Sequence, residues 1–213
     1  MRAPATTSHP DLLFDLGGVI MDIDRDRCVS SFMRLGFSDV GDYLGAYVQK
    51  GLFSDLESGL VTPGQWRAEI HRHLPPGVSD DAIDAAFEDF LLGIPVERLG
   101  ELRRLRADRR VFLLSNTNPV MWSGKIARSF RAEGLTLADY FDGVVTSFEA
   151  KAMKPDRAIF DYAVSHLGLT PATTLFLDDS QANLDAASAL GFQTALVPPG
   201  SEFKDIIARH EHN

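Results

Sequence analysis

Leu12-Leu13-Phe14-Asp15-Leu16-Gly17-Gly18-Val19-Ile20 is the stretch whose reading decides the fold. Its apolar residues form a short continuous run, the pattern of a strand buried on both faces, and the run delivers one carboxylate, Asp15, to the strand end. Two glycines follow at once, where the backbone must turn tightly and can approach a ligand closely. Aspartate is rarely buried without a partner. Asp15 therefore either caps the strand or does chemistry, and the downstream chain favours chemistry.

Downstream, short apolar strands alternate with helices. Val111-Phe112-Leu113-Leu114 runs into Ser115-Asn116-Thr117-Asn118, with Pro119 opening a helix. Gly143-Val144-Val145-Thr146 is the next strand. Pro155–Leu167 has helical spacing, with Ile159, Phe160, Ala163, Val164 and Leu167 inward and Gly168 closing it. Thr174-Leu175-Phe176-Leu177 ends at Asp178-Asp179, Gln181–Leu190 is a helix, and a fifth strand lies near Thr194–Val197. This alternation predicts an α/β fold with a doubly wound, Rossmann-like parallel sheet. Such sheets bind ligands beyond the carboxyl ends of the strands, at the switch point in strand order. Asp15, Ser115, Asp178 and Asp179 all fall at strand carboxyl ends, and Lys154 directly precedes a helix. The sheet should gather a carboxylate nucleophile, a hydroxyl, an ammonium and a metal-binding acid pair in one crevice.

Between the first strand and residue 95 the signals are helical, with no strand. The charged segment Asp22-Ile23-Asp24-Arg25-Asp26-Arg27 leaves the first strand. Thr62-Pro63 opens a helix through Gln65–His73, and Pro75-Pro76-Gly77 ends that segment. Ser79-Asp80-Asp81 is an N-cap followed by first-turn acids, and Ile83, Ala86, Phe87, Phe90 and Leu91 then make an amphipathic stripe. The expected organisation is an α/β core from residues 1–24 and 96–213, carrying a small α-helical cap domain over residues 25–95. Phe32, Tyr47 and Phe53 are candidates to line the cap side of the crevice, although aromatics at helical spacing more often form a core. His71 and His73 lack the spacing of a metal site and read as surface residues.

With 213 residues and 45% hydrophobic content, the chain can bury one large core or a core with a second lobe. A single cysteine, Cys28, precludes an internal disulfide and suits a reducing compartment. Met1–Pro10 is polar and lacks the apolar centre of a signal peptide, so it reads as a short loose leader. No apolar run approaches the roughly 20 residues needed to cross a bilayer, and a cytoplasmic protein is expected. A net charge of −9 argues against nucleic-acid and anionic-membrane partners. Arg103, Arg104, Arg106, Arg109 and Arg110 cluster near a helix carboxyl end and read as a solvated face.

Four segments, in this order, resemble the haloacid dehalogenase-like hydrolase superfamily: Phe14-Asp15-Leu16-Gly17-Gly18-Val19, Leu114-Ser115-Asn116-Thr117, Met153-Lys154-Pro155 and Phe176-Leu177-Asp178-Asp179-Ser180-Gln181-Ala182-Asn183. Within it, the pattern resembles bacterial glucose-1-phosphate phosphatases and the phosphatase domain of soluble epoxide hydrolase. The resemblance implies a phosphatase acting on a small phosphorylated metabolite, a sugar phosphate among the candidates. It implies Asp15 as the nucleophile that forms an aspartyl-phosphate, and Lys154 as the ammonium that neutralises it; Lys151 is the competing lysine, but Lys154 has the family's following proline. It implies Mg²⁺ held by Asp15, the Gly17 carbonyl and Asp179, with Asp178 as a ligand or behind one. Ser115 and Asn116, with Gly17 and Gly18, would bind phosphoryl oxygens, and Asn183 would orient the acids or Lys154. A phosphate dianion beside three carboxylates is repelled by several kcal/mol even at an effective dielectric of about 20, so a cation is required.

One position departs from the family pattern. Most phosphatases of the superfamily carry a second Asp two residues after the nucleophile, and here that residue is Gly17. A positioned proton donor is worth about 10²–10⁴-fold. Its absence implies a good leaving group, a water or cap residue acting in its place, or a weakly turning over or non-catalytic phosphate-binding protein. The same absence is seen in 2-haloacid dehalogenases, where Asp15 would displace halide without a metal, although Asp178-Asp179 argues against that alternative. Asp22 and Asp24 fit turns or caps, and Arg27 a surface ion pair. The pattern is compatible with a monomer or a homodimer.

Overall fold

The computed structural model describes residues 9–45 and 48–212; most of the leader expected over Met1–Pro10, and Tyr47, lie outside the described residues. The strands are β1 (Asp11–Phe14), β2 (Asp22–Ile23), β3 (Leu91–Gly93), β4 (Val111–Ser115), β5 (Gly143–Thr146), β6 (Thr174–Asp178) and β7 (Gln193–Leu196). Five of these form one parallel sheet in the order β5-β4-β1-β6-β7. Side chains alternate between its faces: Leu12, Phe14, Leu113, Leu175 and Leu177 join one core, and Leu13, Phe112, Leu114 and Phe176 the other. Both faces are covered, which is why the strands read as continuous apolar runs.

Helices α1 (Arg25–Leu35), α2 (Leu52–Glu57), α3 (Pro63–His71) and α4 (Asp80–Glu88) lie between β2 and β3. Then α5 (Val96–Asp108) leads into β4, and α6 (Pro119–Met121), α7 (Ala127–Phe130) and α8 (Leu137–Tyr140) precede β5. Next, α9 (Ser147–Ala150) and α10 (Arg157–Leu167) connect β5 to β6, and α11 (Gln181–Ala189) and α12 (Phe203–Glu211) flank β7. Leu99, Leu102 and Leu105 of α5 and Phe203, Ile206 and Ile207 of α12 bury against the Leu12 face, with the Phe203 ring 5.1 Å from that of Phe14. Ile159, Phe160 and Ala163 of α10 and Leu184 and Ala187 of α11 cover the Leu13 face. Burial of side chains this size stabilises by about 1.5–3 kcal/mol each, so the sheet is held from both sides. With β1 central, the chain leaves it towards β4 on one side and later reaches β6 on the other. The switch point is therefore the carboxyl end of β1.

Local signals carry over closely. Thr62 and Gln65 form a reciprocal capping box with Pro63 in the first turn, although α3 stops at His71 rather than His73. Ser79 caps α4 by accepting from Ala82 N. Asp24 caps α1 and Arg27 pairs with Asp89 at 3.0 Å, whereas Asp22, expected in a turn or cap, opens β2 and pairs with Arg98 at 2.7 Å.

Other expectations fail. The stripe begun at Ile83 stays buried through Leu91, but α4 ends at Glu88 and Leu91 opens β3, which pairs antiparallel with β2. Strands of two and three residues are too short to show a period. The arginine cluster is a solvated face only in part: Arg103 and Arg104 are exposed, but Arg103 pairs with Glu133, Arg104 with Glu101, Arg106 with Asp142, Arg109 with Glu211 and Arg110 with Asp11, and Arg109 is buried. Lastly, His73 is half-buried and stacks on Phe37 at 4.3 Å, whereas His71 is at the surface as expected, 2.7 Å from the exposed Asp80 Oδ1. No helix among the described residues is long and apolar enough to cross a membrane.

Candidate active site

The ladder of β1 continues one residue past Phe14: Asp15 N donates to Leu177 O at 2.8 Å, which fixes the Asp15 backbone beside β6. Lys154 comes from the loop between α9 and α10. Its Nζ lies 2.7 Å from Asp15 Oδ1 and 2.7 Å from Asp178 Oδ2, and all three residues are buried. Asn116, just beyond β4, holds the Lys154 backbone: its Nδ2 donates to Lys154 O and its Oδ1 accepts from Lys154 N, both at 2.9 Å. Ser115 is buried, with only a long 3.4 Å contact from its hydroxyl to Asn116 O. Lys151 is elsewhere, bonded through Nζ to Gly59 O.

Asp178 accepts more than the Lys154 ammonium. Ser180 N donates to Oδ1 at 2.8 Å, and Asn183 Nδ2 is 3.1 Å from each of its oxygens. Protein donors thus occupy much of its acceptor capacity. Half-buried Asp179 lies beside it, and one oxygen from each of Asp15, Asp178 and Asp179 falls within a 4.8 Å cluster. Gly18 makes that cluster feasible: its φ is +75°, and a Cβ there would come 2.2 Å from Asp179 Oδ2. At Gly17 an added Cβ would meet Ile23 Cγ2 at 3.5 Å, an ordinary contact, so the backbone has room for a first side-chain atom where the family pattern has its second Asp.

Three crowded acids against one ammonium set the electrostatics. Burial, opposed by Lys154 and reinforced by Asp178 and Asp179, holds Asp15 up at about 7. Burial and then the Asp178 charge, opposed by Lys154, raise Asp179 to about 6. Burial pushes Lys154 downward, but the charges of Asp15 and Asp178 outweigh it and leave the ammonium pKa raised. The cluster is short of positive charge. Its all-oxygen donor set suits a hard divalent cation.

A cavity of about 200 Å³ opens over these groups. Asp15, Gly17, Ser115 and Asp179 contribute from the strand ends, Lys154 from its loop and Asn183 from α11, and Ile23, Gln49, Glu57, Phe87, Phe90 and Leu91 complete the wall. Phe32 and Phe53 are not in it. Both are fully buried in an aromatic cluster, where Phe53 packs 5.6 Å from Phe32 and 5.1 Å from Phe87. The lining aromatics are Phe87 and Phe90. Gln49 and Glu57 went unread in the sequence. The usable signal was spacing, since Glu57 is four residues after Phe53 and so shares its helix face.

Residues 12–191 match the family described as haloacid dehalogenase-like hydrolase. The D-ribitol-5-phosphate phosphatase of Bacteroides thetaiotaomicron is 33% identical over 194 residues, covering 91% of this chain and 94% of that protein. A crystal structure of a haloacid dehalogenase family enzyme from the same organism, in complex with magnesium and inorganic phosphate, superposes with a TM-score of 0.87 at 35% identity, over 93% of this chain and 98% of that one. A haloacid dehalogenase-like hydrolase from Porphyromonas gingivalis gives a TM-score of 0.88 at 34% identity, over 96% and 98% of the two chains.

Proposed function

This chain belongs to the haloacid dehalogenase-like hydrolases, and from that membership we propose that it is a Mg²⁺-dependent phosphatase acting on a small phosphorylated polyol or sugar. The observation that carries the reading is the Lys154 ammonium, 2.7 Å from Asp15 on one side and 2.7 Å from Asp178 on the other, at the switch point of the sheet. The 33%-identical relative hydrolyses D-ribitol 5-phosphate by its name, and a cavity of about 200 Å³ suits a leaving group of that size.

The residues fit a magnesium ion. The carboxylate cluster is all oxygen, Gly18 leaves room for Asp179, and one lysine does not balance three acids. Asp15 and Asp179 would hold the ion with the Gly17 carbonyl, while Asp178, occupied by Lys154, Ser180 and Asn183, anchors the lysine. Bound there, the ion offsets the charge of the substrate dianion and of the attacking carboxylate. Asp15 supplies the electron pair: one carboxylate oxygen bonds to phosphorus as the ester P–O bond breaks. Lys154, Ser115 and the Asn116 backbone hold phosphoryl oxygens, which is most of what phosphoryl transfer asks of a protein. The leaving oxygen takes its proton from water, because Gly17 has none to give. Water then hydrolyses the aspartyl-phosphate to free Asp15 and inorganic phosphate. Residues 25–95 act as a cap over a core of 1–24 and 96–213, excluding bulk water and selecting the leaving group.

Purified protein with Mg²⁺ should release phosphate from a pentitol 5-phosphate and from p-nitrophenyl phosphate, and EDTA should stop both. Metal-independent chloride release from a 2-haloacid would overturn the reading in favour of dehalogenation. Metal-dependent phosphate binding without turnover would overturn it in favour of a binding protein.

The raised acids add a pH prediction. A cation needs Asp15 and Asp179 ionised, and without it they hold their protons up to about 7 and about 6. With folded values above the ordinary 3.8, their contribution to apo stability is fully present below about pH 4 and lost as pH rises through 6 to 7. Mg²⁺ should therefore raise the melting temperature more at pH 8 than at pH 5.5. An equal shift at both pH values would show that these acids do not titrate with metal binding.

A further inference from the structure

We infer that Glu57 determines specificity: from the cavity wall its carboxyl exchanges hydrogen bonds with a hydroxyl of the leaving group, so the site favours polyhydroxylated phosphate esters over esters of bare alkyl chains. The inference rests on the phosphatase reading above and adds the group that reads the alcohol.

Glu57 lines the same cavity as Asp15, Ser115 and Lys154, yet it comes from the last residue of α2 rather than from a strand end. It is only 9% exposed, and no donor among the described residues reaches its carboxyl. Its backbone is tightly registered to the catalytic end. Ser147 Oγ donates to Glu57 O at 2.7 Å and accepts from Thr117 N at 3.0 Å, beside Ser115. The following residues dock on the loop that carries Lys154: Ser58 Oγ lies 3.0 Å from Met153 Sδ, Lys151 bonds Gly59 O, and a Cβ on Gly59 would come 2.3 Å from Phe148 O. A residue whose backbone is so held and that lines the cavity is placed to meet whatever fills it.

The chemistry of the wall selects a hydroxyl. Phe87, Phe90, Leu91 and Ile23 around the cavity offer no hydrogen bond, and the nearby amide of Gln49 is engaged by Gly45 N and O. Burial raises Glu57 to about 8, so it is mostly neutral at pH 7, with one O–H to donate and a carbonyl to accept. A hydroxyl satisfies both. A methylene satisfies neither and leaves a buried polar group unpaired, which is what lets a site reject an analogue lacking the group.

The test compares kcat/KM for a pentitol 5-phosphate and for n-pentyl phosphate, with Mg²⁺, in wild type, Glu57→Gln and Glu57→Leu. The wild type is expected to prefer the pentitol ester. Glu57→Leu should cut that preference by about 10- to 100-fold, mostly through KM, the scale of one or two buried hydrogen bonds. Glu57→Gln, whose amide still donates and accepts, should keep most of it. Leucine removes an unpartnered buried carboxyl, so it should melt no lower than wild type. An unchanged preference in Glu57→Leu would overturn the inference, as would an equal fall in kcat for both esters in Glu57→Gln, the mark of a proton donor. If the wild type releases no phosphate from either ester or from p-nitrophenyl phosphate, the phosphatase reading itself has failed. If it does, and the preference ignores residue 57, only the role of Glu57 falls.

Discussion

Asp15→Asn should lower phosphate release by roughly 10⁴-fold or more, the scale on which removing a nucleophile acts, while leaving the protein folded. An amide cannot form the acyl phosphate, so the loss is in kcat rather than in substrate binding. The fold should survive because Lys154 keeps its 2.7 Å partner Asp178 and is not left as an unpaired buried charge. The stability has a sign of its own. The folded pKa of Asp15, about 7, lies above the ordinary 3.8, so its contribution is fully present below about pH 4 and lost as pH rises through 7. At pH 8 the ionised carboxylate therefore opposes folding in the metal-free protein, and asparagine does not. Melting curves without Mg²⁺ should show the variant at or above wild type at pH 8, with the gap closing towards pH 5. Activity within about 100-fold of wild type would place the nucleophile elsewhere.

The same physics explains which parts of this molecule were legible before any coordinates. The strands containing Leu12–Phe14, Val111–Leu114 and Thr174–Leu177 are buried on both faces, so each appears as an unbroken apolar run ended by polar residues. Because the sheet is parallel, those polar ends share one edge, so Ser115 lines the same cavity as Asp15, and Asp178 joins Asp15 in the acid cluster. Lys154 needed more than periodicity: its ammonium is delivered by a loop, and the clamp from Asn116 that holds it joins residues with no shared element. What stayed hidden is what depends on tertiary neighbours. Arg98 pairs with Glu202 at 2.9 Å across much of the chain, and no local pattern announces such a partner. Glu57 looks like any solvated glutamate near a helix end, and it is buried only because Ser147 and the loop beyond it close over that end of α2. Phe32 and Phe53 have the right chemistry to line a pocket, but Trp66, Phe87 and Phe37 pack around them and take that surface inward.

Lys154→Met should separate the two things an ammonium does here. Its side chain is 1% exposed and lies between two carboxylates, so removing it leaves Asp15 and Asp178 facing each other without a counter-charge. Carboxylate oxygens within 4.8 Å repel by about 3–4 kcal/mol at an effective dielectric of about 20. Breaking a buried pair by deleting one partner typically costs about 3–5 kcal/mol. The metal-free variant should therefore lose about that much stability at pH 8, and less at pH 5, where Asp15 is protonated. Mg²⁺ should return part of the loss, because a cation among the same acids supplies charge. It should not return activity. Methionine offers no donor to the phosphoryl oxygens, and removing one such preorganised donor costs about 10²–10³-fold in kcat. Stability rescued by metal with catalysis still down is the pattern expected of a lysine that both balances the acids and holds the transferring group. A variant that melts with wild type in the absence of Mg²⁺ would mean the two 2.7 Å ion pairs carry none of the folding energy. Full activity in that variant would remove Lys154 from the chemistry altogether.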